Sequence, residues 1–128
     1  MQQILAVGVG GFLGAIARYS LTGWVQRKIS PADFPAGTLV VNVIGCLTIG
    51  ILMTLIVERV WLSEHETARL FLITGILGSL TTFSTFGHDT IELLRQGAVG
   101  PAVGNVALNV VVGLVAVTIG LATTRGLG

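Results

Sequence analysis

The residues whose types are best suited to chemistry lie between Gly75 and Phe86, inside an uncharged run. That run, from Leu70 to Gly87, has about 18 residues, the length that crosses a bilayer core. Its middle is a poor helix former, because two glycines are followed by a cluster of hydroxyl side chains: Ser79, Thr81, Thr82, Ser84 and Thr85. An unpaired backbone group in lipid is costly, so a break around Gly78–Thr82 must be satisfied by protein, water or an ion. The stretch therefore predicts an ion site within the membrane.

The composition of the chain is that of a membrane protein. Of its 128 residues, 52% are hydrophobic and only 10% are charged, and the mean hydropathy is +0.89. Soluble domains carry about 25% charged residues, so this deficit predicts an integral membrane protein. Four uncharged runs reach or approach the roughly 17 residues that a spanning helix needs: Met1–Ala17, Gly37–Val57, Leu70–Gly87 and Gln96–Thr124. We expect an all-α fold with four transmembrane helices in a single domain, residues 1–128.

The expected helices are bounded by the charged residues around these runs. They extend from about Ile4 to Val25, from Gly37 to Val57, from Arg69 through the break to Arg95, and from Ala98 to Thr124. The segments Gln26–Ala36 and Glu58–Arg69 are expected to be surface connections. Gly10 and Gly14 are spaced so that another helix can approach closely. The first run is not expected to be a cleaved signal peptide, because no Lys or Arg precedes it.

The polar side chains near the middle of the spans are amides and hydroxyls, which donate hydrogen bonds without carrying charge. They are Asn42, Thr38, Ser84, Thr82, Asn105 and Asn109. With Arg18 near one mouth and the positive end of the resumed helix, they suit an anion better than a cation. For the three asparagines, hydrogen bonding between helices remains the alternative interpretation.

Phe83 and Phe86 are three residues apart and share one helix face. The edge of an aromatic ring is positive, so two edges directed at one point can hold a small anion weakly, as conduction requires. The alternative is that both rings pack in the core or face lipid.

The basic residues are almost evenly divided between the two sides of a four-span protein. Arg59, Arg69 and Arg125 fall on one side, and Arg27, Lys28 and Arg95 on the other, with Arg18 leaning the same way. Membrane orientation depends on an imbalance of Lys and Arg between the two sides, and here there is almost none. Either other features fix the orientation, or copies of the chain insert both ways and associate antiparallel. Four helices fill their own centre with side chains, and a homodimer is the smallest assembly expected to enclose a pore.

Three motifs of the sequence are similar to those of a known family. They are Gly10-Gly11-Phe-Leu-Gly14-Ala15-Ile-Ala-Arg18-Tyr19, Gly37-Thr38-Leu-Val-Val-Asn42-Val-Ile-Gly45 and Gly75-Ile-Leu-Gly78-Ser-Leu-Thr81-Thr82-Phe83-Ser84-Thr85-Phe86. In order and spacing they resemble the Fluc (CrcB) fluoride channels, over essentially the whole chain. The resemblance implies an antiparallel, dual-topology homodimer in the inner membrane of a bacterium. Two parallel pores would export cytoplasmic fluoride passively.

The resemblance also implies roles for single residues. Phe83 and Phe86 look like the phenylalanine pair of the pore, Asn42 like the amide donor beside them, and Arg18 like the vestibule arginine. Thr38 and Ser84 look like polar neighbours on the path. The backbone carbonyls of Gly78 and Thr81, one pair from each copy, would hold a structural sodium ion at the dimer axis. The fourth spanning helix departs from the family pattern, with Asn105 and Asn109 where many relatives have a Tyr and a Ser. Both can still donate, so the polar track is expected to persist.

Other classes of protein fit the sequence less well. A small dual-topology, proton-coupled multidrug transporter is the main alternative, but it needs a membrane-embedded Glu in its first helix, where this chain has only Arg18. A non-transporting scaffold would explain the glycines and asparagines as packing, but not a helix broken in the membrane. No nucleophile, base and orienting group converge in the sequence, so an enzyme is not expected.

Overall fold

The computed structural model describes residues 1–28, 34–58 and 65–125, and the regular structure in these ranges is helical. Helix α1 is Gln2–Lys28 and α2 is Ala36–Glu58. Helix α3 comprises residues 66–80, α4 is Phe83–Arg95, and α5 comprises residues 99–125. Four segments are long and apolar enough to span a membrane: Gln2–Lys28, Ala36–Leu55, Glu66–Arg95 and Val99–Thr123. The prediction of an all-α chain with four spanning segments is therefore confirmed, with α3 and α4 forming the third.

The helices are longer than their uncharged runs. Helix α1 was expected to end at Val25, but it continues to Lys28, because cationic side chains are favourable in the last turn of a helix. The third span was expected to begin at Arg69, but it begins at Glu66, whose acidic side chain suits a first turn. Of the two expected connections, residues 29–33 and 59–64 lie outside the described residues. The part of each that is described is largely helical.

Glycines set the packing of the helices in two pairs, α1 on α3 and α2 on α5. A Cβ added at Gly10 would lie 3.0 Å from the Cα of Gly75 and would clash with the carbonyl oxygen of Phe71. A Cβ added at Gly50 would likewise lie 3.0 Å from the Cα of Gly120. The backbones therefore touch directly at both seams, as the spacing of Gly10 and Gly14 predicted for the first.

The seam between α1 and α3 leads to a prediction for Gly10→Ala. The added methyl group would force these backbones apart, and overpacking of this kind costs about 1–3 kcal/mol. We expect a clearly lower midpoint of thermal unfolding in detergent. Gly8→Ala is the matched control, because nothing lies within 4 Å of a Cβ at that position. Equal loss of stability in the two variants would contradict the packing described for α1.

Two stretches of the third and fourth spans are π-helical: Leu70–Leu77 in α3 and Leu108–Val112 in α5. A π-helix bonds each N–H to the carbonyl five residues back, which widens the turn, and such turns are frequent at functional sites. Both stretches face the same groove, the first through Leu77 and the second through Asn109. The widened turns therefore lie beside the residues that the sequence singled out.

Candidate functional site

The helical backbone of the third span is interrupted at Thr81 and Thr82. Helix α3 ends at Leu80, Thr81 has φ −80° and ψ 155°, and Thr82 has φ −150° and ψ 112°. Helix α4 then begins at Phe83. Thr82 is its N-cap, because the Thr82 side chain accepts a hydrogen bond from the backbone N–H of Thr85 at 3.2 Å.

The side chain of Asn42 on α2 takes up the backbone groups that the interruption frees. The N–H of Thr82 donates to Oδ1 of Asn42 at 2.9 Å, and Nδ2 of Asn42 donates to the Thr82 carbonyl oxygen at 3.4 Å. One carboxamide thus satisfies both the donor and the acceptor of Thr82. Unpaired backbone groups are costly away from water, so this pairing stabilises the interruption.

The carbonyls of Gly78 and Thr81 lose their helical partners in the same place. In a continuous helix they would accept from the N–H groups of Thr82 and Thr85, four residues further on. Those two N–H groups donate instead to Asn42 Oδ1 and Thr82 Oγ1. Gly78 and Thr81 both line the groove described next. Unwound backbone carbonyls suit a hard cation such as sodium, so the donor chemistry fits the predicted ion.

An open groove of about 450 Å³ lies against the interruption. Phe83 and Phe86 line it, with ring centroids 5.4 Å apart and planes tilted by 52°. The Phe83 residue is 83% exposed, so the rest of the described chain covers little of it. The other lining residues are Asn42, Gly45, Cys46, Ile49, Ile73, Leu77, Gly78, Thr81, Thr82, Asn109 and Val110. The groove is mostly apolar, with amide, hydroxyl and backbone polar groups at its base.

A chain of hydrogen bonds connects the interruption to α5 and back to α4. Nδ2 of Asn42 donates to Oδ1 of Asn109 at 3.0 Å. Nδ2 of Asn109 donates to both the carbonyl oxygen and Oδ1 of Asn105 at 3.0 Å, and Nδ2 of Asn105 donates to Oγ1 of Thr90 at 2.9 Å. The bonds between helices that sequence analysis kept as an alternative are therefore present. They bring together polar groups from three helices.

A second cavity, of about 420 Å³, lies one helical turn from the groove along α2. It contains the acidic side chains Asp89 and Glu92. Thr38, buried at its wall, donates from Oγ1 to Oδ2 of Asp89 at 2.8 Å, and Nδ1 of His88 is 3.7 Å from Oδ1 of Asp89. This cavity is more polar than the groove and contains charged side chains.

Three hydroxyl groups lie between the two cavities. Oγ1 of Thr82 is 2.9 Å from Oγ1 of Thr85 and 3.2 Å from Oγ of Ser84. Thr82 lines the groove, whereas Thr85 lines the second cavity. The hydroxyls thus provide polar contacts between the two spaces.

The structure brings most of the predicted site residues together and separates the others. Asn42, Thr82, Phe83, Phe86, Asn109, Gly78 and Thr81 share the groove, and Thr38 lines the second cavity. Ser84 bonds to Thr82, Asn105 is fully buried behind Asn109, and Arg18 is half-buried on α1 and lines neither cavity. Thr90, to which no role was predicted, joins Asn105 to the carbonyl of Phe86 through its hydroxyl. Its position four residues after Phe86 was the available signal.

These features define a class: a multi-pass membrane protein with an interrupted helix beside an uncharged, mostly apolar groove that contains a few polar groups. Comparison with known proteins narrows it. Residues 5–121 match the family model "CrcB-like protein, Camphor Resistance (CrcB)". The chain therefore belongs to the CrcB family, and the resemblance seen in its motifs is confirmed.

Several curated relatives are similar over nearly their whole length. A protein named "Fluoride-specific ion channel FluC" from Chloroflexus aurantiacus is 45% identical, covering 100% of this chain and 99% of the relative. A protein of the same name from Sulfurovum sp. is 50% identical over 92% of this chain and 90% of its own length. Another, from Agrobacterium fabrum, is 41% identical over 99% of both. These names are those of ion channels and not of enzymes.

Proposed function

We propose that this protein is a fluoride-specific ion channel that exports fluoride passively from the bacterial cytoplasm across the inner membrane. The observation that carries the proposal is the groove in which the Asn42 amide, the Phe83 and Phe86 rings and the Thr82 hydroxyl lie together. Relatives that cover nearly the full chain bear the name of that activity. The protein is accordingly a channel and not an enzyme.

The chemistry of the groove suits a small anion that must enter and leave. Amide and hydroxyl hydrogens and ring edges attract an anion through partial charges alone, whereas a fixed cation would trap it. The acidic second cavity alone would repel fluoride. The hydroxyls of Thr38 and Thr85 on its wall are bonded to Asp89 and Thr82, so each would have to turn toward the anion to donate to it. We assign the path to Thr38, Ser84, Thr82, Asn42, Phe83 and Phe86, with Asn105 and Asn109 beside it and Arg18 at a vestibule.

A second copy of the chain is proposed to cover the groove. The carbonyls of Gly78 and Thr81 border it without helical partners, and such groups are not stable against lipid. We infer an antiparallel homodimer in which the interruption lies mid-membrane, each groove becomes a pore wall, and two pores run side by side. The even division of basic residues supports insertion in both orientations.

The two pairs of carbonyls would hold a sodium ion at the dimer axis. The ion would neutralise the partial negative charge of the four oxygens and so join the two subunits. Reconstitution with N-methylglucamine in place of sodium is therefore expected to lower fluoride flux and dimer stability. Unchanged flux and stability would argue against the sodium site without touching the assignment of the anion path.

Dual topology has its own test. In a Cys46→Ala background, Gln2→Cys places one thiol on the exposed start of α1. In intact vesicles, a membrane-impermeant maleimide is expected to label about half of the copies, because the positive-inside bias is nearly absent. Labelling of all copies or of none would mean a single orientation and would exclude the antiparallel dimer.

The activity itself is tested with purified protein in liposomes loaded with fluoride. An ion-selective electrode should record fast efflux once charge movement is balanced by a potassium ionophore, with or without a proton gradient. The main alternative, a proton-coupled multidrug transporter, requires a proton gradient and a carboxylate in α1. The sequence of α1 contains no carboxylate side chain. No fluoride efflux from protein-containing liposomes would refute the channel.

A further inference from the structure

The amide chain beside the interruption has a donor arrangement that restricts how an anion can use Asn42. A backbone N–H can only donate, so the Asn42 atom that faces the Thr82 N–H must be the oxygen, Oδ1. Nδ2 of Asn42 then has two hydrogens, of which one is directed to the Thr82 carbonyl and the other to Oδ1 of Asn109. Both N–H groups of the expected fluoride donor are therefore already engaged.

The orientation of Asn109 is fixed in the same way. Its Nδ2 donates to the backbone carbonyl of Asn105, which can only accept, so its Oδ1 must face Asn42. Asn105 is fully buried, and Oγ1 of Thr90, which donates to the Phe86 carbonyl, accepts from its Nδ2. Each amide thus constrains the next, and Asn109 cannot turn its amide group over without leaving buried acceptors unpaired.

We propose that Oδ1 of Asn109 competes with fluoride for the second N–H of Asn42 and so sets how weakly the groove holds the ion. This inference rests on the proposed function. The first N–H of Asn42 holds Thr82 in its extended conformation, so the second is the one that an anion in the groove can take. Both Asn42 and Asn109 line the groove, so an arriving anion meets the bond between them directly. Asn109 is therefore a residue that tunes affinity, not a fluoride donor.

The competition also favours one kind of anion. To displace a carbonyl oxygen at 3.0 Å, an anion must be small and accept hydrogen bonds strongly, which describes fluoride better than the larger halides. A permanently free N–H on Asn42 would hold fluoride longer and would be open to weaker acceptors. The hydrogen bond between Asn42 and Asn109 thus weakens the binding of fluoride and also discriminates against anions that accept hydrogen bonds less strongly.

The test is Asn109→Ser. A serine hydroxyl can still donate to the carbonyl four residues back, as Thr48 and Thr118 do in this structure, but it is too short to occupy the Asn42 N–H. The half-saturating fluoride concentration for liposome efflux is expected to fall about fivefold, equivalent to about 1 kcal/mol for one neutral hydrogen bond. Asn109→Ala should show the same fall, with a larger loss of thermal stability. Val111→Ala, an exposed position outside the groove, is the control.

The possible results are distinguishable. An unchanged half-saturating concentration in a folded Asn109→Ser variant would overturn the competition while leaving the channel intact. A higher half-saturating concentration would also overturn it, because Asn109 would then be a fluoride donor itself. If the unaltered protein passes no fluoride, the proposed function fails first and this inference falls with it.

Discussion

Phe83→Ile is expected to lower the rate of fluoride efflux by about tenfold, since a favourable ring-edge contact contributes up to about 1.5 kcal/mol and each proposed pore loses one. The isoleucine side chain is similarly apolar but has no positive edge to offer an anion. The ring centroids of Phe83 and Phe86 are 5.4 Å apart, so the change also removes the ring that packs against Phe86 and orients it. Initial rates from liposomes with an ion-selective electrode measure the effect directly.

The loss of flux should not come from misfolding, because Phe83 is 83% exposed and contributes little to the core of one subunit. Size-exclusion chromatography should show a dimer for both the variant and the unaltered protein. Phe12→Ile is the matched control, since Phe12 is 65% exposed on α1 and does not line the groove. Equal rates for all three proteins would remove Phe83 from the anion path.

Asn42→Asp is expected to reduce fluoride efflux to near the rate of protein-free liposomes. The variant should be less stable than the unaltered protein but still folded. A carboxylate can still accept from the Thr82 N–H, but it cannot donate to the Thr82 carbonyl or to Asn109. The Thr82 carbonyl oxygen and Oδ1 of Asn109 would then face the new negative charge, and an anion in the groove would be repelled as well. Loss of two donated bonds costs about 1–3 kcal/mol for each acceptor left unpaired.

The control for Asn42→Asp is Gln3→Glu, which makes the same chemical change on the exposed start of α1, away from the groove. The control should retain the flux of the unaltered protein, and the Asn42 variant should still be recovered as a dimer. Substantial flux in a folded Asn42→Asp protein would mean that fluoride does not pass this amide.

The number and type of the spans could be predicted from hydropathy, because a lipid-facing helix must be apolar along its length. The helix ends could not be placed as well, since Arg27, Lys28 and Glu66 sit in helical turns that extend past the uncharged runs. The π-helical turns around Ile73 and Asn109 were not predicted, because no residue pattern in those stretches indicates a wider turn.

The sequence indicated which residues lie at the candidate site, but not the hydrogen bonds between them. Spacing placed Phe83 with Phe86, and the hydroxyl cluster identified the interruption. That Thr82 would be held by Asn42, and Asn42 in turn by Asn109, depends on contacts between residues 40 and 67 positions apart. No local pattern encodes such a contact. The sequence named the donors, and the structure assigns what each one donates to.

The way the interruption is held has a consequence for regulation. Straightening the third span would require Asn42 to release Thr82 and Thr82 to release Thr85, which would strand polar groups in an apolar setting. These hydrogen bonds thus stabilise the interrupted backbone against straightening. Within the described residues the interruption is therefore not expected to gate the path, and we expect flux to depend on the number of copies in the membrane rather than on a movement of this segment.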